Sequence, residues 1–389
     1  MESQDVTAFV AIDLSAAFDT VDHSVLLSVV DNRFGIRGAA KDWIASYLHQ
    51  RSFSVYVNGE YSNPIQLSYS VPQGSCLGPV LFNLYSSTLD VDLASYNVSL
   101  SGYADDHGLY DSFTPAPNAE STTVARVEEC LDSVNDWMNA NRLQMNASKT
   151  EFMLFGSKQQ IDKCSTDSLR VCDTLVTRSP TMRYLGVWFD TYLDFKTHIS
   201  RTIAKVMGNM IDIRSIRPYL DEKACKLLVC NLVITPMDYA NSILFGIPDA
   251  ELNRLQRIQN MAAKLVLGRT KFDSATAALK ELHWLPIKYR IQLKIATLVF
   301  KCVHGMAPEY LVELLNKQEH TRHLRSHITD AISDTFAVPF NRRKTFLDRS
   351  FAFSGPVIWN DLPHHIRQCK DITTFKSKVK THYCDLIFQ

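Results

Sequence analysis

The stretch Gly102–Tyr110, GYADDHGLY, sets two carboxylates side by side between aromatic and apolar residues. Asp is a good turn former, so the pair fits a plain hairpin turn. Adjacent carboxylates also repel unless a cation neutralises them, so the same pair fits a metal site. A third carboxylate, Asp13, ends the apolar run TAFVAIDL. Hard cations such as Mg²⁺ take one or two carboxylates together with substrate phosphates. In nucleotidyl transfer, two such ions about 3.5–4 Å apart clamp the attacking and leaving oxygens. Chance yields Tyr-x-Asp-Asp in a chain this long on the order of a few per cent of the time, so the tetrapeptide alone does not decide.

For Asp13, Asp105 and Asp106 to meet, their segments must be neighbours in one sheet. TAFVAIDL reads as a short strand. NVSLSGYA and HGLYDS alternate like two strands joined at the paired Asp. After Asp13, SAAFDTVDHSVLLSVV reads as a helix with Ser15 as its N-cap, and Asp19 as helix-start or network structure. A second helix follows in FGIRGAAKDWIASYLHQ, then a hairpin at the Asn-Gly of SFSVYVNGEYSNPIQL. VPQGSCLGPVLFNLYSSTLD starts with turn residues and continues as an apolar helix, with Pro79 tolerated in its first turn. FTPAPNAEST reads as a loop. Val124, Val127, Leu131, Val134 and Met138 then mark a helix by their spacing, and KTEFMLFG and MRYLGVWFD read as strands. Beyond about residue 196 strand signals fade. ELNRLQRIQNMAAKLVLG, stopped by Gly268, and IKYRIQLKIATLVFKCVHG are basic amphipathic helices. From about Thr321 the chain reads as less regular, with RRKTF, FSGPVIWNDLP and FKSKVKTHY.

The 389 residues carry 41 Lys/Arg and 41 Asp/Glu, unevenly spread. Residues 1–110 hold 4 Lys/Arg against 12 Asp/Glu, residues 111–195 hold 8 against 12, and residues 196–389 hold 29 against 17. An acidic front and a basic back half suit a cation site followed by a polyanion-binding surface, and equally a set of solvated helices with a Lys/Arg bias. The nine cysteines form no CxxC pair and no zinc-ligand spacing with His. Cys225 and Cys230, in an apolar run, read as core residues. The pattern fits a reducing compartment. No apolar run approaches a membrane span, and MESQDVTAF lacks the form of a signal peptide. The expectation is a soluble intracellular protein, nuclear or cytoplasmic.

The ordered series FVAIDLSAAFDTVDH, SVPQGSCLGPVLFNLY, GYADD, LQMNASKTEFMLFG and RYLGVWFD resembles the successive palm motifs of reverse transcriptases, in detail those of LINE-type (non-LTR, jockey-like) retrotransposons. The series covers roughly residues 8 to 199. HWLPIKYRIQLKI and GPVIWNDLP resemble the less diagnostic C-terminal part of the same elements. The resemblance implies an α+β fold. An antiparallel palm sheet with packed helices and partial fingers would span 1–195, a helical thumb 196–280 and a basic C-terminal region 281–389. It implies RNA-directed DNA polymerase activity with Mg²⁺ or Mn²⁺ as cofactor and with an RNA template, a DNA primer or target and dNTPs as partners. It assigns Asp13 and Asp105 as principal metal ligands, Asp106 as a supporting carboxylate and the Leu14 carbonyl as a further ligand. Phe18 falls where the family places a steric gate against a 2′-OH; a core aromatic is the alternative. Gln73 and Gly74 begin the motif that meets nucleotide and template, where a plain turn is the alternative. Lys149 stands where the family places a lysine that protonates pyrophosphate, or is an ordinary surface lysine. Arg183, Tyr184, Leu185 and Gly186 resemble the primer-grip hairpin, and Tyr184 fits an ordinary strand aromatic as well.

Two departures qualify these expectations. The chain has 12 residues before Asp13, where the family carries a fingers subdomain, and no endonuclease-like acidic set is recognisable. The expectation is therefore an N-terminally truncated polymerase with little activity on its own. The competing expectation is a catalytically silent remnant, or a co-opted nucleic-acid-binding protein that uses the basic back half.

Overall fold

The computed structural model describes residues 5–93, 95–317, 335–340 and 347–388. The chain forms two compact units, Met1–Leu193 and Asp194–Gln389. The first is built on β1 (Val6–Ile12), whose residues alternate between a fully covered and a partly covered face. After it come α1 (His23–Asn32) and α2 (Ala39–Leu48). Two small ladders follow, formed by β2 (Ser52–Phe53) with β5 (Ile65–Gln66) and by β3 (Tyr56–Val57) with β4 (Glu60–Tyr61). Asn58 and Gly59, both at positive φ, join β3 to β4 as the Asn-Gly signal requires.

The chain continues through α3 (Gly78–Ser86), with Pro79 in its first turn, and the short α4 (Leu89–Leu93). Next come β6 (Ser99–Tyr103), β7 (Asp106–Phe113), α5 (Ala119–Ala140), β8 (Glu151–Phe155) and the one-turn α6 (Lys158–Ile161). β6, β7, β1 and β8 form one antiparallel sheet in that order. Two hairpins complete the unit: β9 (Ser168–Val171) with β10 (Thr174–Thr177), and β11 (Thr181–Tyr184) with β12 (Val187–Asp190).

The covered face of the sheet supplies Val6, Ala8, Val10 and Ile12 from β1, Leu109 from β7 and Phe152 and Leu154 from β8. They pack with Phe82 and Tyr85 of α3 and with Val127, Leu131, Val134 and Met138 of α5. Each such side chain taken from water contributes about 1.5–3 kcal/mol. The opposite face holds a smaller cluster of Met153, Phe155 and Met182 with Phe9 and Ala11 packed on it. The sheet thus has one face committed to the core and one left for chemistry.

Two expectations are corrected, and one hairpin is found where the sequence carried no signal. No helix starts at Ser15: Leu14 bridges Met145, the Ser15 N–H donates to the Gln144 carbonyl at 2.9 Å, and Ala16 sits at φ +50. Cross-strand pairing therefore outweighs helix propensity, and α1 begins only after Asp22, whose Oδ1 accepts from the N–H groups of Ser24 and Val25. The β9–β10 hairpin, closed at Cys172 with φ +51, carries no Asn-Gly or Asp-Gly signature and was not expected. The C-terminal region is more regular than its sequence suggests. FSGPVIWNDLP lies mostly in a helix over Phe351–Asp361 and FKSKVKTHY in one over Ile372–Phe388, while RRKTF lies outside the described residues.

The second unit is mainly helical among its described residues, with one isolated bridge between Lys317 and Phe336. Its main elements are α7 (Lys196–Ile216), α8 (Glu222–Val229), α9 (Thr235–Asp238), α10 (Asp249–Val266), α11 (Ala275–Leu282), α12 (Ile287–Val303), α13 (Glu309–Val312), α14 (Phe351–Asp361), α15 (His364–Arg367) and α16 (Ile372–Phe388). Within it the buried Gln259 of α10 donates to the Leu285 carbonyl at 2.9 Å, and Arg290 of α12 pairs with Asp238. Phe300 of α12 stacks on Phe375 of α16, with ring centroids 4.5 Å apart. Cys225 is buried and Cys230 half-buried, and all nine cysteines are free thiols. No helix among the described residues is long and apolar enough to cross a membrane.

The cap position gives a direct test. Asp22→Ala is expected to lower stability by about 1 kcal/mol, and Ser15→Ala to stay within about 0.5 kcal/mol. The hydrogen bond from Ser24 holds the Asp22 pKa below its ordinary 3.8. The cap is therefore at full strength above that value and fades as pH falls through the lower folded pKa. Urea unfolding of the three proteins at pH 7 and near pH 3 reads both effects, and equal losses at Ser15 and Asp22 would contradict the assignment.

Candidate active site

The ladder between β1 and β7 runs from Val6 opposite Phe113 to Ile12 opposite His107. One step further in the same register Asp13 comes level with Asp106. Asp105 sits in the two-residue turn between β6 and β7, where Ala104 takes φ +53. The three acids named from the sequence are therefore gathered at one end of the sheet. Burial first, then the charges of Asp105 and Asp13, raise the pKa of Asp106 above its usual value. Its side chain still reaches solvent, which damps the effect. Asp13 Oδ2 is buried with no hydrogen-bond partner among the described residues. A carboxylate oxygen so placed is costly unless a cation takes it.

Backbone contacts fix these acids. The Asp13 carbonyl accepts from the Asn146 N–H at 2.8 Å, and the Asp13 N–H points at Thr150 Oγ1 at 3.4 Å. These bonds bring the loop that carries Lys149 beside Asp13. Lys149 itself is exposed and forms no ion pair among the described residues. The bridge between Leu14 and Met145 uses the carbonyls of Asp13 and Gln144 and leaves that of Leu14 outside it. On the other side, Asn83 of α3 accepts from the Ala104 N–H through Oδ1 at 2.9 Å. His107 is 3 % exposed and lies on the core face. Burial lowers its pKa, so the ring is neutral, and Nδ1 lies 3.2 Å from the Asp105 carbonyl as its donor. His107 thus props the turn from beneath.

Neither Asn83 nor Thr150 was singled out from the sequence. The available signal for Asn83 was weak: an Asn inside a helix is unfavourable unless its side chain has work elsewhere.

A cavity of about 490 Å³ opens beside Asp105. Leu14, Phe18, Gln73, Gly74 and Gly78 line it together with Asp105, so it joins residues from three separate motifs. Phe18 lies in the turn after β1, half-buried, with its ring 5.2 Å from that of Phe82. The Phe18 carbonyl accepts from the Val71 N–H at 2.8 Å, which ties this turn to the Pro72–Ser75 loop. Gln73 Nε2 reaches the Asp19 carboxylate at 3.4 Å, which gives Asp19 a linking part rather than a place at a helix start.

The β11–β12 turn comes close to the same sheet end. The Tyr184 ring meets Phe9 edge-on with centroids 5.2 Å apart, and its hydroxyl lies 3.5 Å from the Ser101 carbonyl. Burial raises the Tyr184 pKa and the Asp106 charge adds to the rise, which places the phenol within the field of the acids. This approach needs Gly108, where a Cβ would stand 2.8 Å from Phe9 Cζ and 3.2 Å from the Tyr184 hydroxyl. Leu185 and Gly186 take φ +47 and +79, the mirror-image turn that suits a two-residue hairpin. A left-handed Leu is rare, and such backbone concentrates at functional sites. Arg183 is exposed.

Among the described residues no group of three or more His, Cys, Asp or Glu side chains is placed so that it could hold a metal ion. That is compatible with a hard cation that completes its shell with substrate phosphates, and the unpartnered Asp13 Oδ2 supplies one open donor.

Residues 1–189 match the reverse transcriptase (RNA-dependent DNA polymerase) family. The probable RNA-directed DNA polymerase from transposon BS of Drosophila melanogaster is 27 % identical over 295 residues, covering 72 % of this chain and 31 % of its own. The RNA-directed DNA polymerase from mobile element jockey of the same species is 25 % identical over 280 residues, covering 69 % and 29 %. The chain thus spans about a third of the length of these relatives. Among solved structures, the apo telomerase of Candida tropicalis aligns over 74 % of this chain and 46 % of its own, at 10 % identity and TM-score 0.37. A superposition that loose adds nothing to the sequence match. With the motif series and the sheet that carries it in view, residues 1–189 form a reverse transcriptase domain similar to those of non-LTR retrotransposon RNA-directed DNA polymerases.

Proposed function

We propose that the first unit is the nucleotidyl-transfer site of an RNA-directed DNA polymerase, adding deoxynucleotides to a DNA primer on an RNA template. The observation that carries this reading is the cavity shared by Leu14, Phe18, Gln73, Gly74 and Asp105, beside the unpartnered Asp13 oxygen. Asp13, Asp105 and the Leu14 carbonyl would hold Mg²⁺ or Mn²⁺, with Asp106 as the supporting carboxylate. When bound, the cations neutralise the triphosphate and favour the ionised primer hydroxyl.

The chain's own groups do the positioning on which such transfers depend. The incoming sugar would lie over Phe18, whose ring is backed by Phe82 and would oppose a 2′-OH. Gln73 and the Gly74 backbone would meet the base pair being formed. The primer 3′ oxygen attacks the α-phosphorus as the bond to pyrophosphate breaks. Lys149, exposed in the loop bound to Asp13, would give the leaving group its proton. Arg183 to Gly186 would seat the primer end. The surplus of 29 Lys/Arg over 17 Asp/Glu in residues 196–389 suits binding to template and primer phosphates.

The test is nucleotide binding by the chain itself, measured by equilibrium dialysis with labelled dTTP and UTP. Binding of dTTP is expected with Mn²⁺ and not with EDTA, and Asp13→Asn or Asp105→Asn is expected to weaken it by about tenfold or more, or at least about 1.4 kcal/mol. Equal Mn²⁺-dependent binding in wild type and both variants would contradict the metal assignment. Phe18→Ala is expected to raise the affinity for UTP relative to dTTP. An unchanged ratio in a folded variant would reduce Phe18 to a packing partner of Phe82.

A further inference from the structure

Two of the most exposed aromatic rings among the described residues stand at the C-terminal end of α10. Tyr219 is 88 % exposed and Phe272 86 %. Single apolar side chains at a surface are ordinary. These two differ in that the backbone presenting each of them is tied down bond by bond.

Arg217 does this for Tyr219. Its Nε and Nη2 donate to the Leu265 and Val266 carbonyls at 3.1 and 3.0 Å, at the end of α10 where a helix has no N–H of its own to offer. Nη1 donates to the Leu220 carbonyl at 2.8 Å, so one guanidinium fixes the turn that carries Tyr219. Pro218 restricts the backbone there as well. Phe272 lies in the loop that leaves α10 after Gly268. Lys264 Nζ donates to the Lys271 carbonyl at 3.0 Å, and the Thr270 N–H and hydroxyl donate to Asp273 Oδ2 at 2.6 and 2.8 Å. Arg269 pairs with Glu281 of α11, and Ser274 caps that helix. The loop is thus ordered while its ring stays in water. Lys271 Nζ stands 4.9 Å from the ring centroid, which leaves the other face open.

The surroundings are cationic. Arg214, Lys223 and Lys271 are exposed and form no ion pair among the described residues. Of the neighbouring acids, Asp221 and Asp273 accept from backbone N–H groups and Glu281 is taken by Arg269, so Glu222 alone offsets these cations. Fixed rings beside free ammonium and guanidinium groups match an unpaired base and its phosphates: every base has a face to stack, and the cations take the backbone. A duplex keeps its base faces in its own stack and can use the charges only.

We propose that Tyr219 and Phe272 form a stacking site for single-stranded nucleic acid, with Arg214, Lys223 and Lys271 meeting its phosphates. The site lies in the second unit and does not rest on the polymerase reading.

The test is fluorescence anisotropy of labelled oligouridine, oligothymidine and a duplex of the same length, titrated with the whole chain across a salt series. Phe272→Ala and Tyr219→Ala are each expected to weaken single-strand binding by about fivefold or more and duplex binding by less than about twofold. Phe272→Leu keeps apolar bulk without the ring and is expected to behave as the Ala variant. Lys271→Gln is expected to weaken both and to flatten the log–log salt slope by about 0.7. The ratio of oligouridine to oligothymidine affinity assigns the site to RNA or DNA. Unchanged single-strand affinity in both aromatic variants overturns the proposal, as does an equal loss for the duplex. Absence of any nucleic-acid binding at low salt also overturns it and leaves the rings to a protein partner. The expected pattern in a chain that binds no dTTP supports this site and counts against the polymerase reading alone.

Discussion

The antiparallel register between β1 and β7 is the constraint on which the site depends. Seven residue pairs from Val6–Phe113 to Ile12–His107 leave no freedom in where Asp13 arrives. A slip by one residue would turn Asp13 to the core and expose Val10 and Ile12 to water. The hydrophobic face thus enforces the meeting of like charges. Two unit charges about 5 Å apart at an effective dielectric near 20 repel by about 3 kcal/mol. Burial of Val6, Ala8, Val10 and Ile12 outweighs such a cost several times over. The strain is visible in the raised pKa of Asp106 and in the open oxygen of Asp13.

Around that end, the fold divides labour by face. The core face takes His107, Leu109 and Phe152, and β7 is clamped there by α3 and α5. The other face takes the acids and Tyr184, with Gly108 as the gap that lets the aromatic ring come close. Asn83 crosses between the layers, since α3 both packs under the sheet and holds the Ala104 amide of the turn. The same helix follows the Pro72–Ser75 loop that helps to form the cavity. Turn and cavity wall are therefore braced by one element.

Much of this was legible in the sequence because local rules and tertiary packing agree there. The alternation in TAFVAIDL, the turn at Asp105, the Asn-Gly hairpin, Pro79 in the first turn of α3 and the spacing from Val124 to Met138 all appear as read. The reading of Ser15 as a cap did not survive, because a long-range bridge from Leu14 to Met145 claimed the backbone that a helix would use. Asn83 and Thr150 stayed hidden for a related reason. Each acts through a bond to backbone distant in sequence, and no spacing rule marks such a partner. The packing of α10 against the segment before α12 was likewise beyond reach of composition, which marks the helices but not their neighbours.

The central claim is that one metal- and nucleotide-binding centre forms where Asp13, Asp105 and Asp106 meet beside the Phe18 cavity. Paramagnetic broadening of backbone amide signals by Mn²⁺ in the presence of dTTP measures that centre directly. The account predicts selective broadening at Asp13, Leu14, Phe18, Gly74, Asp105 and Asp106, with residues 123–138 of α5 left sharp. Broadening spread evenly over the acidic surface, or centred on α5 and its carboxylates, would contradict it.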